Sequence, residues 1–173
     1  MSPEPPSLRG AVPVPTFRGS PATPASDLHG RDLDGQALDV RVVGARGWFL
    51  LLFLSSGCVG CHEWWEVAAG PGRSGVVTDE TVIAVTRGDG REDPAAVRRL
   101  AGATTTVIMS DDVWATYRVH GPPFFVLVDG TRGIVATEGV AWAAEQVAAD
   151  VRRAREGRGT VAVLLLSPEG PES

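Results

Sequence analysis

The two cysteines of this chain stand three apart, as Cys58-Val59-Gly60-Cys61. Random placement of two cysteines gives that gap about one time in ninety, so the spacing points to a shared task. Sulfurs three apart on a helical turn share one face and lie within reach of a disulfide. The chemistry open to them is thiol–disulfide exchange, in which a thiolate attacks a disulfide sulfur and a second thiol resolves the mixed disulfide. Position strengthens the reading, because the apolar run Trp48 to Leu54 (WFLLLFL) breaks at Ser55-Ser56-Gly57 just before the pair. From Cys58 to Ala69 the composition is helical, until Gly70-Pro71-Gly72. Both sulfurs are therefore expected in the first turn of a helix that follows a buried strand. Unpaired N–H groups and the positive end of the helix dipole favour thiolate there, and reactive cysteines in such settings have pKa values of roughly 3.5–7.5 against about 8.5 when free. Cys58, nearer the exposed tip, is the expected nucleophile, and Cys61 the resolving thiol.

The same residues admit other chemistries. His62 follows Cys61, so CVGCH also satisfies the covalent haem-attachment signature, although a haem protein wants export and a helical wrapping. A zinc site would need Cys58, Cys61, His62 and His120 to converge, whereas structural zinc ligands usually come as two close pairs and only one is present. No metal is assigned. His62 reads as a solvent-facing helix residue, with tuning of the cysteine pair as its functional alternative. His120 reads either as a surface or hydrogen-bonded loop histidine or as one that approaches the thiols to tune them, and His29 sits in a polar loop. Adjacent on a helix, Trp64 and Trp65 point about 100° apart, so at least one belongs in the core and the other is free to meet a partner near the surface. Trp114, Trp142 and Tyr117 read as core residues. Arg87-Gly88-Asp89 matches an integrin-binding tripeptide that chance explains in a chain of this composition.

These side chains need a scaffold. Trp48 to Leu54 has no polar face, as a strand covered on both sides should look. Thr81 to Thr86 is a second buried strand, and Asp93-Pro94 supplies an N-cap and a first-turn proline for a helix ending at Ala101-Gly102. Thr105 to Met109, Phe124 to Asp129 and Ile134 to Thr137 read as further strands, with Asp111 to Tyr117 a short helix between the first two. Asp32 to Val43, with Asp34-Gly35 at its turn, reads as a hairpin. Ala141 to Arg155 is predicted as a last helix, with Trp142, Val147 and Val151 along its buried stripe. Arg152, Arg153, Arg155 and Arg158 would then stand at its C-terminal end, where cations offset the dipole. Alternation of strands and helices gives an α/β layer fold.

The whole chain has 173 residues, 43% hydrophobic and 21% charged, which suits one domain with its own core. Seven of its 13 prolines fall within the first 24 residues. Residues 1–12 are expected to be a disordered, Pro-rich lead, 13–158 the domain, and 159–173 a partly disordered extension. The net charge is −5, and the 16 basic residues, all arginine, are scattered, so no nucleic-acid-binding face is expected. No apolar run approaches the ~20 residues that span a bilayer, and the opening has no signal-peptide core, so a cytoplasmic location is expected, with membrane-tethered or extracytoplasmic placement if the true start lies upstream. Oligomeric state is open.

Two separated motifs carry a resemblance. CVGC after its apolar strand, followed by a strand–helix insertion over 81–101 and then TYRVHGPPFFVLVDG, resembles the thioredoxin superfamily. Within it the chain is similar to the TlpA/ResA-like thiol–disulfide oxidoreductases related to peroxiredoxins. The similarity spans Val14 to Arg155, including Pro15-Thr16-Phe17, and the last stretch resembles the family's YxVxGxPxxFLID segment. The resemblance implies a thioredoxin-like three-layer α/β fold, with a central mixed sheet flanked by helices and an N-terminal hairpin. It implies a cis-proline at Pro123 beside the cysteines, and a substrate-facing surface formed by Pro122, Pro123, Gly57, Val59 and Gly60. It also implies protein or small-molecule disulfides and thiols as partners, and no cofactor. The chain departs from the pattern in three places. Pro122 has no N–H to offer a substrate strand. Leu52 stands where thioredoxin carries a buried carboxylate, so base assistance must come from elsewhere. Gly57 and Val59-Gly60 replace the usual tryptophan and Gly-Pro. These losses motivate a non-enzymatic alternative, a binding or redox-sensing module with little turnover. A peroxidase reading lacks its threonine, since Ser55 stands three before Cys58.

Overall fold

The structure is a computed structural model that describes residues 22–70 and 74–166, the last nine of them by backbone alone. The Pro-rich lead at 1–12, Pro15-Thr16-Phe17, Pro71-Gly72 and the end of the 159–173 extension lie outside the described residues. Seven strands, β1 (Leu28–Arg31), β2 (Ala37–Val40), β3 (Trp48–Phe53), β4 (Thr81–Thr86), β5 (Val107–Met109), β6 (Phe124–Asp129) and β7 (Ile134–Val140), form one mixed sheet in the order β2-β1-β5-β4-β3-β6-β7. At its centre β3 (Trp48–Phe53) pairs in parallel with β4 (Thr81–Thr86) and antiparallel with β6 (Phe124–Asp129). Alternate side chains of β3 point to opposite faces. Leu50 and Leu52 join the layer of α1 (His62–Ala69), α2 (Pro94–Ala101) and α4 (Ala144–Leu166). Phe49, Leu51 and Phe53 join the opposite layer with α3 (Asp111–Thr116). Burying each such side chain stabilises the fold by roughly 1.5–3 kcal/mol, which is why the run carries no polar residue. The three-layer arrangement is the expected one.

Local signals act as their chemistry requires. Asp93 caps α2 by accepting from the Ala95 N–H at 3.0 Å, Pro94 follows, and Gly102 ends the helix with φ of 74°. The hairpin is displaced from its expected place: its strands are β1 (Leu28–Arg31) and β2 (Ala37–Val40). Asp32 belongs to the turn, because its carboxylate accepts from the N–H groups of Asp34 and Gln36, both at 2.9 Å. Arg31 meets Met109 of β5 (Val107–Met109), so the hairpin extends the sheet at that edge.

The C-terminal helix differs from expectation in two ways. It runs on from Ala144 to Leu166, so Arg152, Arg153 and Arg155 lie within it and not at its end. Arg155 instead reaches Asp79 and Glu80 and covers the Trp48 ring at 5.3 Å. Trp142 precedes the helix and is 80% exposed, whereas Val147 and Val151 are buried as expected. The reason is that β7 (Ile134–Val140) continues past Thr137 and displaces the helix start toward the C-terminus.

Candidate active site

Strand directions bring four loops to one end of the sheet. Because β3 and β4 are parallel, their C-terminal ends coincide, releasing Ser55–Cys58 and the loop 87–93 side by side. Strand β6 runs the other way, with Phe53 opposite Phe124, so the residues entering it, Pro122 and Pro123, arrive at the same end. Strand β7 returns there too, and the Ala141 N–H donates to the Pro123 carbonyl at 3.0 Å. Open α/β sheets place their ligands outside the carboxyl ends of their strands, and this is the end at which β3 and β4 finish.

The cysteine pair opens the helix on the first of these loops. Cys58 is extended, with φ of −96° and ψ of 116°, and caps a single 3-10 turn (Val59–Cys61) that runs into α1. Trp65 holds the junction, donating from its indole N–H to the Ser55 carbonyl at 3.2 Å. Trp64 and Trp65 are both buried, so neither serves as a surface contact. The cysteines are free thiols: Cys58 is half-buried and Cys61 fully buried. Val59 between them is 94% exposed. The Cys58 thiol donates to the Pro122 carbonyl at 3.9 Å. The Pro122–Pro123 bond is cis, and a Cβ on Gly60 would lie 3.7 Å from the Pro123 ring. Burial pushes the Cys61 thiol up to about 12, reinforced by its hydrogen bond to Cys58 and, more weakly, by the charge of Glu92, while a backbone hydrogen bond to Ser55 opposes the rise.

Gly57, Val59, Gly60, Pro122 and Pro123 thus frame one surface around Cys58. His62 and His120 are exposed, and among the described residues neither forms a hydrogen bond or ion pair with a cysteine. Leu52 is fully buried in the apolar core. No cluster of three metal-ligating side chains forms among the described residues. Sequence reasoning missed two residues at this end. Trp142, expected in the core, stands exposed beside the Pro123 loop. Glu92 is only 8% exposed and accepts from the Ser56 N–H at 3.3 Å and from the Ser56 hydroxyl. An acid just before an N-cap reads as a solvated helix start, and its sequence neighbours give no sign that it turns inward.

No protein-family model and no curated protein matches the chain. Solved structures do. The thioredoxin domain of a thiol-disulfide oxidoreductase from Bacteroides vulgatus aligns with a TM-score of 0.57 at 17% identity, covering 76% of this chain and 95% of that one. A thiol:disulfide interchange protein of the thioredoxin family from Chlorobium tepidum aligns at 0.59 and 15%, covering 80% and 97%. StoA from Bacillus subtilis aligns at 0.54 and 16%, covering 76% and 99%. At these identities the likeness is one of architecture, and it agrees with the sheet order, the helix layers and the cysteine-bearing junction: the chain is a thioredoxin-fold protein.

Proposed function

We propose that this protein is a thiol–disulfide oxidoreductase that works through Cys58 and Cys61. The observation that carries the reading is the asymmetry of the pair: Cys58 is partly open at the tip of the turn, and Cys61 is buried behind it and hydrogen-bonded to it. In the reducing direction the Cys58 thiolate attacks a substrate disulfide, forms a mixed disulfide and expels one substrate thiolate. Cys61 then loses its proton and attacks the Cys58 sulfur, expelling the second thiolate and leaving the protein disulfide. Two electrons pass to the substrate. In the oxidising direction a substrate thiolate attacks the protein disulfide and the steps reverse.

Gly57, Val59, Gly60, Pro122 and Pro123 form the substrate-facing surface in this reading, with the exposed His62 and His120 as the residues that tune the pair. An extended peptide lying across Pro122 accepts nothing from its nitrogen, so the substrate strand is held by fewer main-chain bonds than in thioredoxin. The same feature, with Leu52 in place of a carboxylate, supports a second reading, a redox sensor with little turnover.

Insulin reduction separates the two. An exchanger accelerates precipitation of insulin chains above the rate with dithiothreitol alone, loses this in Cys58→Ser and in Cys61→Ser, and accumulates mixed disulfides in Cys61→Ser. No acceleration by the wild type, for insulin or for a mixed glutathione disulfide, refutes the exchange reading and leaves the sensor.

A further inference from the structure

Three carboxylates are buried among the described residues: Glu80, Glu92 and Asp129. Glu80 is paired with Arg155. Asp129 lies at the far end of β6, opposite Trp48, where it accepts from the Arg132 N–H at 3.2 Å. Glu92 is different. It stands at the cysteine end of the sheet, and among the described residues no cation reaches ion-pair distance of it. Its carboxylate accepts from the N–H and the hydroxyl of Ser56, two residues before Cys58. A buried carboxylate without a cation costs several kcal/mol of lost solvation unless its hydrogen bonds compensate, and such groups concentrate where proton transfer is needed.

The loop geometry fixes where this carboxylate points. The N–H groups of Arg91 and Glu92 both donate to the Gly88 carbonyl, at 2.9 and 3.0 Å, closing the loop on itself, and the Glu92 carboxylate crosses from it to Ser56. Cys61 is tied to Ser55 of that turn and Glu92 to Ser56, so thiol and carboxylate hang on adjacent residues. The other charged groups of this loop face outward or are paired: Asp89, Arg91 and Asp93 are exposed, and Arg87 lies 3.9 Å from Asp111. From the thiol–disulfide exchange reading, on which this inference rests, we infer that Glu92 is the proton acceptor for Cys61 in the second half of the exchange. It supplies from the loop after β4 the base that Leu52, within β3, cannot be.

The step balances. The Cys61 S–H bond breaks and Glu92 becomes a neutral carboxylic acid. The Cys61 sulfur forms its bond to Cys58, the bond from Cys58 to the substrate sulfur breaks, and Glu92 gives its proton to the departing thiolate when that is an alkyl thiolate, or to water when it is an aromatic thiolate that stays ionised. When the exchange runs backward, Glu92 returns the proton to Cys61.

The test uses reduced full-length protein and equimolar dithiobis(nitrobenzoate), an aromatic disulfide whose released thiolate absorbs visible light. The first release reports attack by Cys58 and the second reports resolution by Cys61. General-base assistance is worth about 100-fold or more where fully expressed, and water replaces part of it, so Glu92→Gln is expected to slow the second release about tenfold or more at neutral pH. The first release should stay within about twofold of wild type. In Glu92→Gln the second rate should keep rising with pH where the wild-type rate levels off, and Glu92→Asp should recover part of the loss. A second release at the wild-type rate in Glu92→Gln overturns the assignment. Equal slowing of both releases overturns it too, because Glu92 would then only support the loop. Should Glu92→Gln fail to fold, Glu92→Asp carries the test by slowing the second release alone. A wild-type protein with no second release, or a Cys61→Ser variant that keeps one, refutes the exchange reading itself.

Discussion

Alkylation of the reduced protein with iodoacetamide will mark Cys58 and spare Cys61. Only the thiolate reacts. Burial, reinforced by the hydrogen bond to Cys58, holds the Cys61 thiol at a pKa of about 12. At pH 8 roughly one Cys61 in ten thousand is then ionised, whereas a free thiol of pKa about 8.5 is about one-quarter ionised. Protonation alone therefore slows Cys61 by about three orders of magnitude, before its complete burial adds any steric protection. Alkylating Cys58 first removes the hydrogen bond between the sulfurs but leaves burial, the largest cause, in place. The assay is mass spectrometry over a time course, with fragmentation to separate the two sites. In the folded protein one label should appear, at Cys58, and guanidinium should admit the second. The Cys61 rate should rise about tenfold per pH unit below its folded value. Labelling of folded Cys61 within about tenfold of the Cys58 rate would refute the picture of Cys61 as a buried, protonated thiol.

Replacing Pro122 by Thr or Val restores a backbone N–H beside the cis-proline, and reduction of a peptide disulfide should improve in KM; an unchanged KM counts against peptide capture at this edge. Phe53→Ala empties a site that is fully buried and set edge-on against Trp114 at 5.3 Å between ring centres, and should cost about 3–5 kcal/mol in denaturant unfolding. Trp142→Ala removes a ring that is 80% exposed and should stay within about 0.5 kcal/mol of wild type, a contrast that separates core from rim. The N–H groups of Val43 and Val42 hold the Asp27 carboxyl below its ordinary 3.8, so its stabilising contribution is present above that value and fades as the pH falls through the folded one. The gap in denaturant midpoint between wild type and Asp27→Ala should therefore shrink as acid is added, and a gap that is constant with pH refutes this account.

Sequence alone determined what near neighbours decide. Trp48 to Phe53 had to be an interior strand because no residue in it tolerates water, and Asp93-Pro94 had to open a helix because one caps and the other fits the first turn. The Cys58–Cys61 spacing pointed to a shared task because residues three apart across a helix start lie close together, although Cys58 is the extended cap of the turn and not part of it. Tertiary structure decided everything that depends on strand direction. Pro122 and Pro123 come to the cysteine loop, and Glu92 to Ser56 beside it, only because β6 runs antiparallel and β4 parallel to β3, and Trp142 stands exposed at the same rim only because β7 returns there. Periodicity reports which face of an element is apolar. It does not report which side of a loop turns inward, since that is set by contacts between residues far apart in the chain, and so the burial of Glu92 had to come from the fold.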